Sequence, residues 1–304
     1  MTTSTSDSTY DEIMVSIRDT NCMVHSWHPN NNHSSSSSPM AVVVIFHGFL
    51  AHGAYPTVRY AAEFLAEAGY AVVATDFPGH GKSEGMRGYL RNADELVEDG
   101  VAQTQHALSL YKEKAGLPLV LCGSSMGGAI ALSVAHKLKG GDSSYSGKDP
   151  LLILMAPMLK LNVSSLERTA LQCLDFLAPT AQLIPSSATD ASKQYRDETK
   201  RRECQDDELT VSGAKLRVSS ALTCVDLTLQ LRNNFASITN PYLLLIADED
   251  VVVKNEGSDD FYEMSASTDK TKKNYPALHG LLCEPSPLFD EIKNDILSWL
   301  RTRL

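Results

Sequence analysis

Residues 117–138 read LPLVLCGSSMGGAIALSVAHKL, a short apolar run, a glycine-rich turn holding two serines, and an amphipathic-to-apolar helical stretch. Gly123 to Gly127 fit the pattern G-x-S-x-G with Ser125 at the centre. The apolar run before it and the helix opening at Met126 give Ser125 the strand-turn-helix setting of a nucleophile elbow. In such a turn the serine sits on strained backbone, so Gly123 and Gly127 leave room for the chain and Gly128 lets the helix pack close to the strand. The helix N-terminus favours the negative charge that develops during attack on a carbonyl. Ser124 is expected to be the variable position, turned away from the site. An ordinary N-cap serine is the bland alternative for Ser125.

The pattern alone does not decide this, because GKSEG at 81–85 fits it too. Ser83 lies in the loop PGHGKSEGMRG, with no helix starting on it. The GKS there also raises a phosphate-binding loop, but the glycine required five residues before Gly81 is Asp76.

Outward from Ser125 the chain alternates short apolar strands with amphipathic helices. MAVVVIF precedes a helix over Val58, Ala61, Ala62, Leu65 and Ala68; YAVVATD precedes a helix capped near Asn92 with Glu95 three residues on. PLLILMAP follows the Ser125 helix. This rhythm predicts an α/β protein with a mostly parallel sheet covered on both faces. DEIMVSI and CMVHSWH, joined across Arg18 to Asn21, predict an antiparallel hairpin at a sheet edge. PNNNHSSSSSP at 29–39 reads as a polar loop. Residues 158–239 break the rhythm with Leu-rich helical pieces and Pro-marked turns before NPYLLLIADED resumes it. The expected organisation is therefore a core over 1–157, an inserted cap over 158–239 and the rest of the core over 240–304.

A serine nucleophile needs a neutral histidine, itself oriented by a carboxylate, and in this sheet type the chain order is Ser, acid, His. Of nine histidines only His136 and His279 follow Ser125. His136 lies eleven positions along the same helix, roughly 16 Å away, which leaves His279. Asp248, Glu249 and Asp250 all follow the strand YLLLIA, and spacing does not choose among them. The oxyanion would be met by the backbone N–H groups of Met126, after the nucleophile, and Phe49, after VVVIFHG.

Composition excludes other classes. With 37 acidic and 27 basic residues the formal charge is −10, which argues against nucleic acid as a partner. Six scattered cysteines without a C-x-x-C pair suggest a reducing compartment and no metal site, and no cofactor is expected. The first residues lack the basic and apolar regions of a secretory signal, and no apolar run could cross a bilayer, so a cytoplasmic location is expected, with a membrane surface left open.

With these residues in place, the chain resembles the monoacylglycerol lipase and lysophospholipase branch of the α/β-hydrolase superfamily, often grouped with serine aminopeptidases. The matching pieces are HG at 47–48, DFPGHGKSEGMRGY at 76–89, GSSMGGAIAL at 123–132, APM at 156–158, PYLLLIADEDVV at 241–252 and HGLLCEP at 279–285. The family frame G-x-x-D puts Ala247 at the glycine and selects Asp250 as the acid. Leu50 stands where members often carry a second glycine, and the segment before His279 is one residue short.

The resemblance makes 158–239 a lid, whose Leu159, Leu161, Leu166, Leu171, Leu174, Phe176 and Leu177 would line an acyl channel or touch lipid; simple core packing is the commoner reading of such spacing. It implies hydrolysis of a monoacylglycerol or similar lipid ester, with a lysophospholipid or a caffeoyl-type ester as alternatives. A ligand-binding protein on the hydrolase fold, without turnover, is the reading from a different class, and the three filled triad positions disfavour it.

Overall fold

The computed structural model describes residues 9–29, 38–113, 116–139, 147–185, 190–211 and 215–304. Most of the polar loop expected at 29–39 lies outside the described residues.

Ten strands are described: β1 (Tyr10–Ile17), β2 (Thr20–Trp27), β3 (Val42–Phe46), β4 (Ala71–Thr75), β5 (Leu119–Ser124), β6 (Leu151–Met155), β7 (Gln182–Pro185), β8 (Lys215–Arg217), β9 (Tyr242–Ala247) and β10 (Lys270–Tyr275). Among the described residues nine α-helices accompany them: α1 (Pro56–Glu67), α2 (Ala93–Ser109), α3 (Met126–Lys139), α4 (Ser165–Leu177), α5 (Ala191–Gln194), α6 (Glu198–Gln205), α7 (Val218–Asn234), α8 (Asn255–Met264) and α9 (Leu288–Arg301).

The main sheet has eight strands in the order β1-β2-β4-β3-β5-β6-β9-β10. From β4 to β10 every neighbour is parallel, while β1–β2 and β2–β4 are antiparallel. The β1–β2 turn is made by Arg18 and Asp19, both at positive φ (47° and 61°), which matches the right-handed twist of a tight hairpin.

β3, β4 and β6 are buried at every position, as strands covered on both faces must be. Successive side chains feed two separate cores. Val42, Val44 and Phe46 pack with α2, α3 and α7, whereas Val43 and Ile45 pack with α1 and α9. β10 closes one edge with Lys270, Lys272 and Lys273, charges that discourage further strand pairing. Asn92 caps α2 by accepting the Glu95 amide at 2.8 Å, the position and partner expected from the sequence.

Between β6 and β9 the chain forms α4, the small β7–β8 ladder, α5, α6 and α7. α7 belongs partly to the main core. Leu227 and Leu231 are buried in it, and the Ser219 and Ser220 hydroxyls donate to the carbonyls of Leu90 and Gly88. α4 is held by a capping box between Ser164 and Glu167, yet none of its residues is buried. Leu166, Phe176 and Leu177 are 80%, 88% and 76% exposed, so core packing, the commoner reading, fails for them. It holds for Leu159, which is buried.

Candidate active site

The parallel strands deliver their C-terminal ends to one edge of the sheet, and the turns after β3, β5, β6, β9 and β10 meet there. Ser125 joins β5 to α3 with φ +57°, a left-handed conformation that a serine enters only under constraint. Its amide donates to the Met155 carbonyl at 3.1 Å, and its own carbonyl accepts from Gly128, Ala129 and Met158. Both backbone groups of the strained residue are thereby tied, and the side chain alone is presented to the cleft.

The three glycines of the turn are required by close approaches. A Cβ on Gly123 would sit 2.2 Å from the Gly127 carbonyl oxygen, and one on Gly127 would sit 2.0 Å from that of Phe46. One on Gly128 would meet the Pro157 side chain at 2.7 Å. Gly127 therefore brings α3 against the end of β3, while Gly128 admits the turn after β6. Ser124 differs from expectation: it lines the cleft beside Ser125.

The second G-x-S-x-G serine has a structural task. Ser83 donates to the Asp76 carbonyl at 2.7 Å and accepts the Met23 amide at 2.9 Å, tying its loop to β2. Asp76 is buried, accepts from the amides of Gly53 and Lys82, and lies 3.0 Å from His25 Nε2. Against the cost of burial, these contacts hold its carboxyl down at about 2.

His279, in the loop after β10, lines the same cleft as Ser125, and its Nδ1 lies 2.6 Å from Asp250 Oδ2. The Asp250 side chain is wholly buried, and its other oxygen accepts the amides of Val252 and Val253 at 2.7 and 3.0 Å. The neighbouring acids are occupied elsewhere. Asp248 accepts from Asn274 on the edge strand, and Glu249 pairs with Arg196. An Nδ1–H donated to a buried carboxylate leaves Nε2 free to accept a proton, the arrangement a general base requires.

Phe49 follows β3, and Met126 opens α3. Among the described residues, neither amide donates to a backbone carbonyl outside its own helix or strand. Gly48 packs on Ser125, since a Cβ placed there would lie 3.6 Å from that of Ser125. His47 braces this turn from below. Its Nε2 accepts the Phe77 amide at 3.0 Å, so Nδ1 carries the proton and donates to the Gly48 carbonyl at 2.8 Å. Burial pushes His47 down to about 3, keeping it neutral in that tautomer.

The cleft holds about 50 Å³ of free space and is lined by Gly48, Phe49, Thr57, Gln194, Tyr195, Val252 and Gly280 around the serine and histidine. A larger cavity of about 510 Å³ opens beside the β1–β2 turn, but it reaches none of Ser125, Asp250 and His279. Tyr195, from the segment between β6 and β9, closes the cleft by bonding its hydroxyl to that of Tyr55 at 3.1 Å. Burial pushes both phenols well above their ordinary value, so both remain neutral.

The model of the family described as serine aminopeptidase, S33, matches residues 37–286, a span that contains Ser125, Asp250 and His279. The chain belongs to this family. Among its relatives, a monoacylglycerol lipase of Mycolicibacterium smegmatis is 30% identical over 275 residues, covering 88% of this chain and 90% of the relative. The monoglyceride lipase of Homo sapiens is 28% identical over 271 residues, covering 88% and 84%. A soluble variant of the Saccharomyces cerevisiae monoglyceride lipase, solved with a substrate analogue, superposes with a TM-score of 0.80 at 19% identity, covering 99% of this chain and 97% of that one. The α/β-hydrolase fold expected from the sequence is thus the fold of the molecule.

Within this S33 frame, sequence reasoning missed the groups that support the elbow and wall the cleft. Met155 and Met158 grip Ser125 through backbone alone, which no side-chain pattern reveals. The APM motif carried that signal, with Ala156 at φ +41° between them. Gln194 and Tyr195 sit in a polar stretch without periodicity. A Cβ on Gly280 would lie 2.4 Å from the Tyr195 ring, so the glycine after His279 is what admits this tyrosine.

Proposed function

We propose that the protein is a serine ester hydrolase acting on monoacylglycerols. Ser125 Oγ attacks the ester carbonyl, His279 takes its proton and passes it to the leaving glycerol, and Asp250 holds His279 in the productive tautomer. The amides of Phe49 and Met126 receive the developing oxyanion, and water then releases the fatty acid from the acyl-enzyme. The observation that carries this reading is the strained Ser125, facing the same cleft as a histidine bonded to a fully buried aspartate.

The cleft wall favours a neutral, hydroxyl-bearing alcohol. Thr57, Gln194 and Tyr195 offer uncharged hydrogen-bonding groups, and among the described residues no Lys, Arg, Asp or Glu lines the cleft to meet a zwitterionic phospholipid head group. Its free volume of about 50 Å³ is far below the roughly 300 Å³ at which small-molecule pockets begin. Within 158–239, α4, α5 and α6 accordingly act as a cap that shifts to admit an acyl chain, while α7 stays anchored in the core. The exposed Leu166, Phe176 and Leu177 on α4 give that cap an apolar face suited to a lipid surface. Among the described residues, no helix is long and apolar enough to cross a membrane.

Parallel assays on 2-monoacylglycerol, lysophosphatidylcholine and a caffeoyl ester test the assignment. Highest kcat/KM on the monoacylglycerol is expected. Preference for the lysophospholipid or the caffeoyl ester would replace the substrate, and turnover of none would return the protein to ligand binding on a hydrolase fold.

A further inference from the structure

The loop that carries His279 leaves β10 at Tyr275 and has only a short 3₁₀ turn, Leu281–Cys283, before α9. A catalytic histidine in so irregular a segment needs something outside the sheet to fix it. The amide of Leu278, one residue before His279, donates to Glu284 Oε1 at 2.6 Å. The Glu284 side chain is 1% exposed, and a carboxylate buried to that degree needs a counter-charge. Arg196 supplies it, with Nε 2.9 Å from Glu284 Oε2.

The same guanidinium reaches both loops of the site. Arg196 Nη2 lies 3.0 Å from Glu249, the residue before Asp250, and also donates to the Pro276 carbonyl at 3.4 Å. One arginine between β6 and β9 thus links the acid loop to both ends of the histidine loop. Lys200, four residues on, donates to the carbonyls of Leu282 and Glu284 and reinforces the seat.

We propose that Glu284 and Arg196 are a positioning pair that sets His279 against Asp250, and that the cap, through Arg196, helps assemble the catalytic geometry. The proposal rests on the hydrolase reading above. Glu284 fixes the backbone next to His279 through a charge-assisted bond, and the Arg196 guanidinium forms ion pairs with two carboxylates in different loops, Glu284 and Glu249.

The test measures kcat, KM and the rate of labelling by a fluorophosphonate in the full chain and four variants, with Ser125→Ala as the labelling control and thermal melting as a control for folding. Glu284→Ala should lower kcat and the labelling rate by about 10- to 100-fold, the scale of a small misplacement of a catalytic group, with KM little changed. Glu284→Gln keeps an oxygen for the Leu278 amide and should recover most of that loss. Arg196→Ala should lower kcat by about 10-fold, and Arg196→Lys should recover little of it, because a single ammonium cannot pair with both carboxylates as the two guanidinium nitrogens do. The Arg196 side chain is 40% exposed, so its variants keep the test valid should Glu284→Ala fail to fold. Wild-type labelling rates in Glu284→Ala and Arg196→Ala, with Ser125→Ala unlabelled, would overturn the pair and leave the hydrolase reading standing. Absence of labelling in the unmodified protein would overturn both.

Discussion

Ser125 and Asp250 show what one residue's surroundings decide. Three carboxylates follow β9 within three positions, and spacing could not rank them; the family frame selected Asp250, and burial separates it from its neighbours. Asp250→Asn should therefore cut kcat by about 10³- to 10⁴-fold through loss of the histidine's tautomer control, whereas Asp248→Asn should change it less than tenfold by steady-state assay. The opposite ranking would move the acid to Asp248. Leu50 makes a similar point about backbone. It stands where the family resemblance expects a second glycine, and its φ of +67° lies in the left-handed region. The side chain is nevertheless buried, packs toward Gly88, and its carbonyl accepts the Val211 amide at 3.0 Å. Leu50→Gly relieves about 1–2 kcal/mol of strain but forfeits about 2–5 kcal/mol of buried leucine. Calorimetry should show a lower melting temperature; a rise would mean that the strain outweighs the packing.

Elements whose sequence pattern follows from packing were legible, and those defined by exposure were not. β3, β4 and β6 read as strands because both faces are covered, and α3 read as a helix start because the glycines before it admit a tight turn. His279 was found by order alone, since one histidine follows Ser125 off its own helix. α4 has the leucine spacing of a core helix, yet Leu166, Phe176 and Leu177 face solvent and Leu171 and Leu174 are only half-buried. Periodicity identifies an apolar face without saying what covers it. If that face meets lipid, Phe176→Ser combined with Leu177→Ser should weaken binding to phosphatidylcholine vesicles several-fold while leaving hydrolysis of a soluble short-chain ester unchanged. Equal vesicle binding by both proteins in a flotation assay would contradict a docking role for α4. The cleft wall was illegible for another reason: Gln194 and Tyr195 come from a polar stretch whose position over the site is set by long-range contacts such as the Tyr55–Tyr195 bond.

The whole molecule places buried neutral histidines under the candidate active-site edge, and that ties its stability to pH. Burial pushes His47 and His80 down to about 3 and about 4, and the buried Nε2 of His80 has no hydrogen-bond partner among the described residues. Both groups have folded-state values below the unfolded value of about 6.5, so the unfolded chain binds more protons as pH falls below that point. Stability is then full above about pH 6.5 and falls on acidification, by on the order of 1–2 kcal/mol per histidine at pH 5. Asp76 adds a further loss only below its unfolded value, as pH falls toward about 2. The melting temperature should drop between pH 7 and pH 5, and His80→Phe should shallow that slope; an unchanged slope would remove His80 from the linkage.

The architecture as a whole converges on one oxygen atom, and its reactivity is the most direct test. The native protein should be treated with a fluorophosphonate, digested, and the modified peptide sequenced by mass spectrometry. A single adduct on Ser125, absent from Ser125→Ala and slowed in Asp250→Asn, is the expected result. An adduct on Ser124 or Ser83, or labelling of Ser125→Ala at the rate of the unmodified protein, would contradict the account.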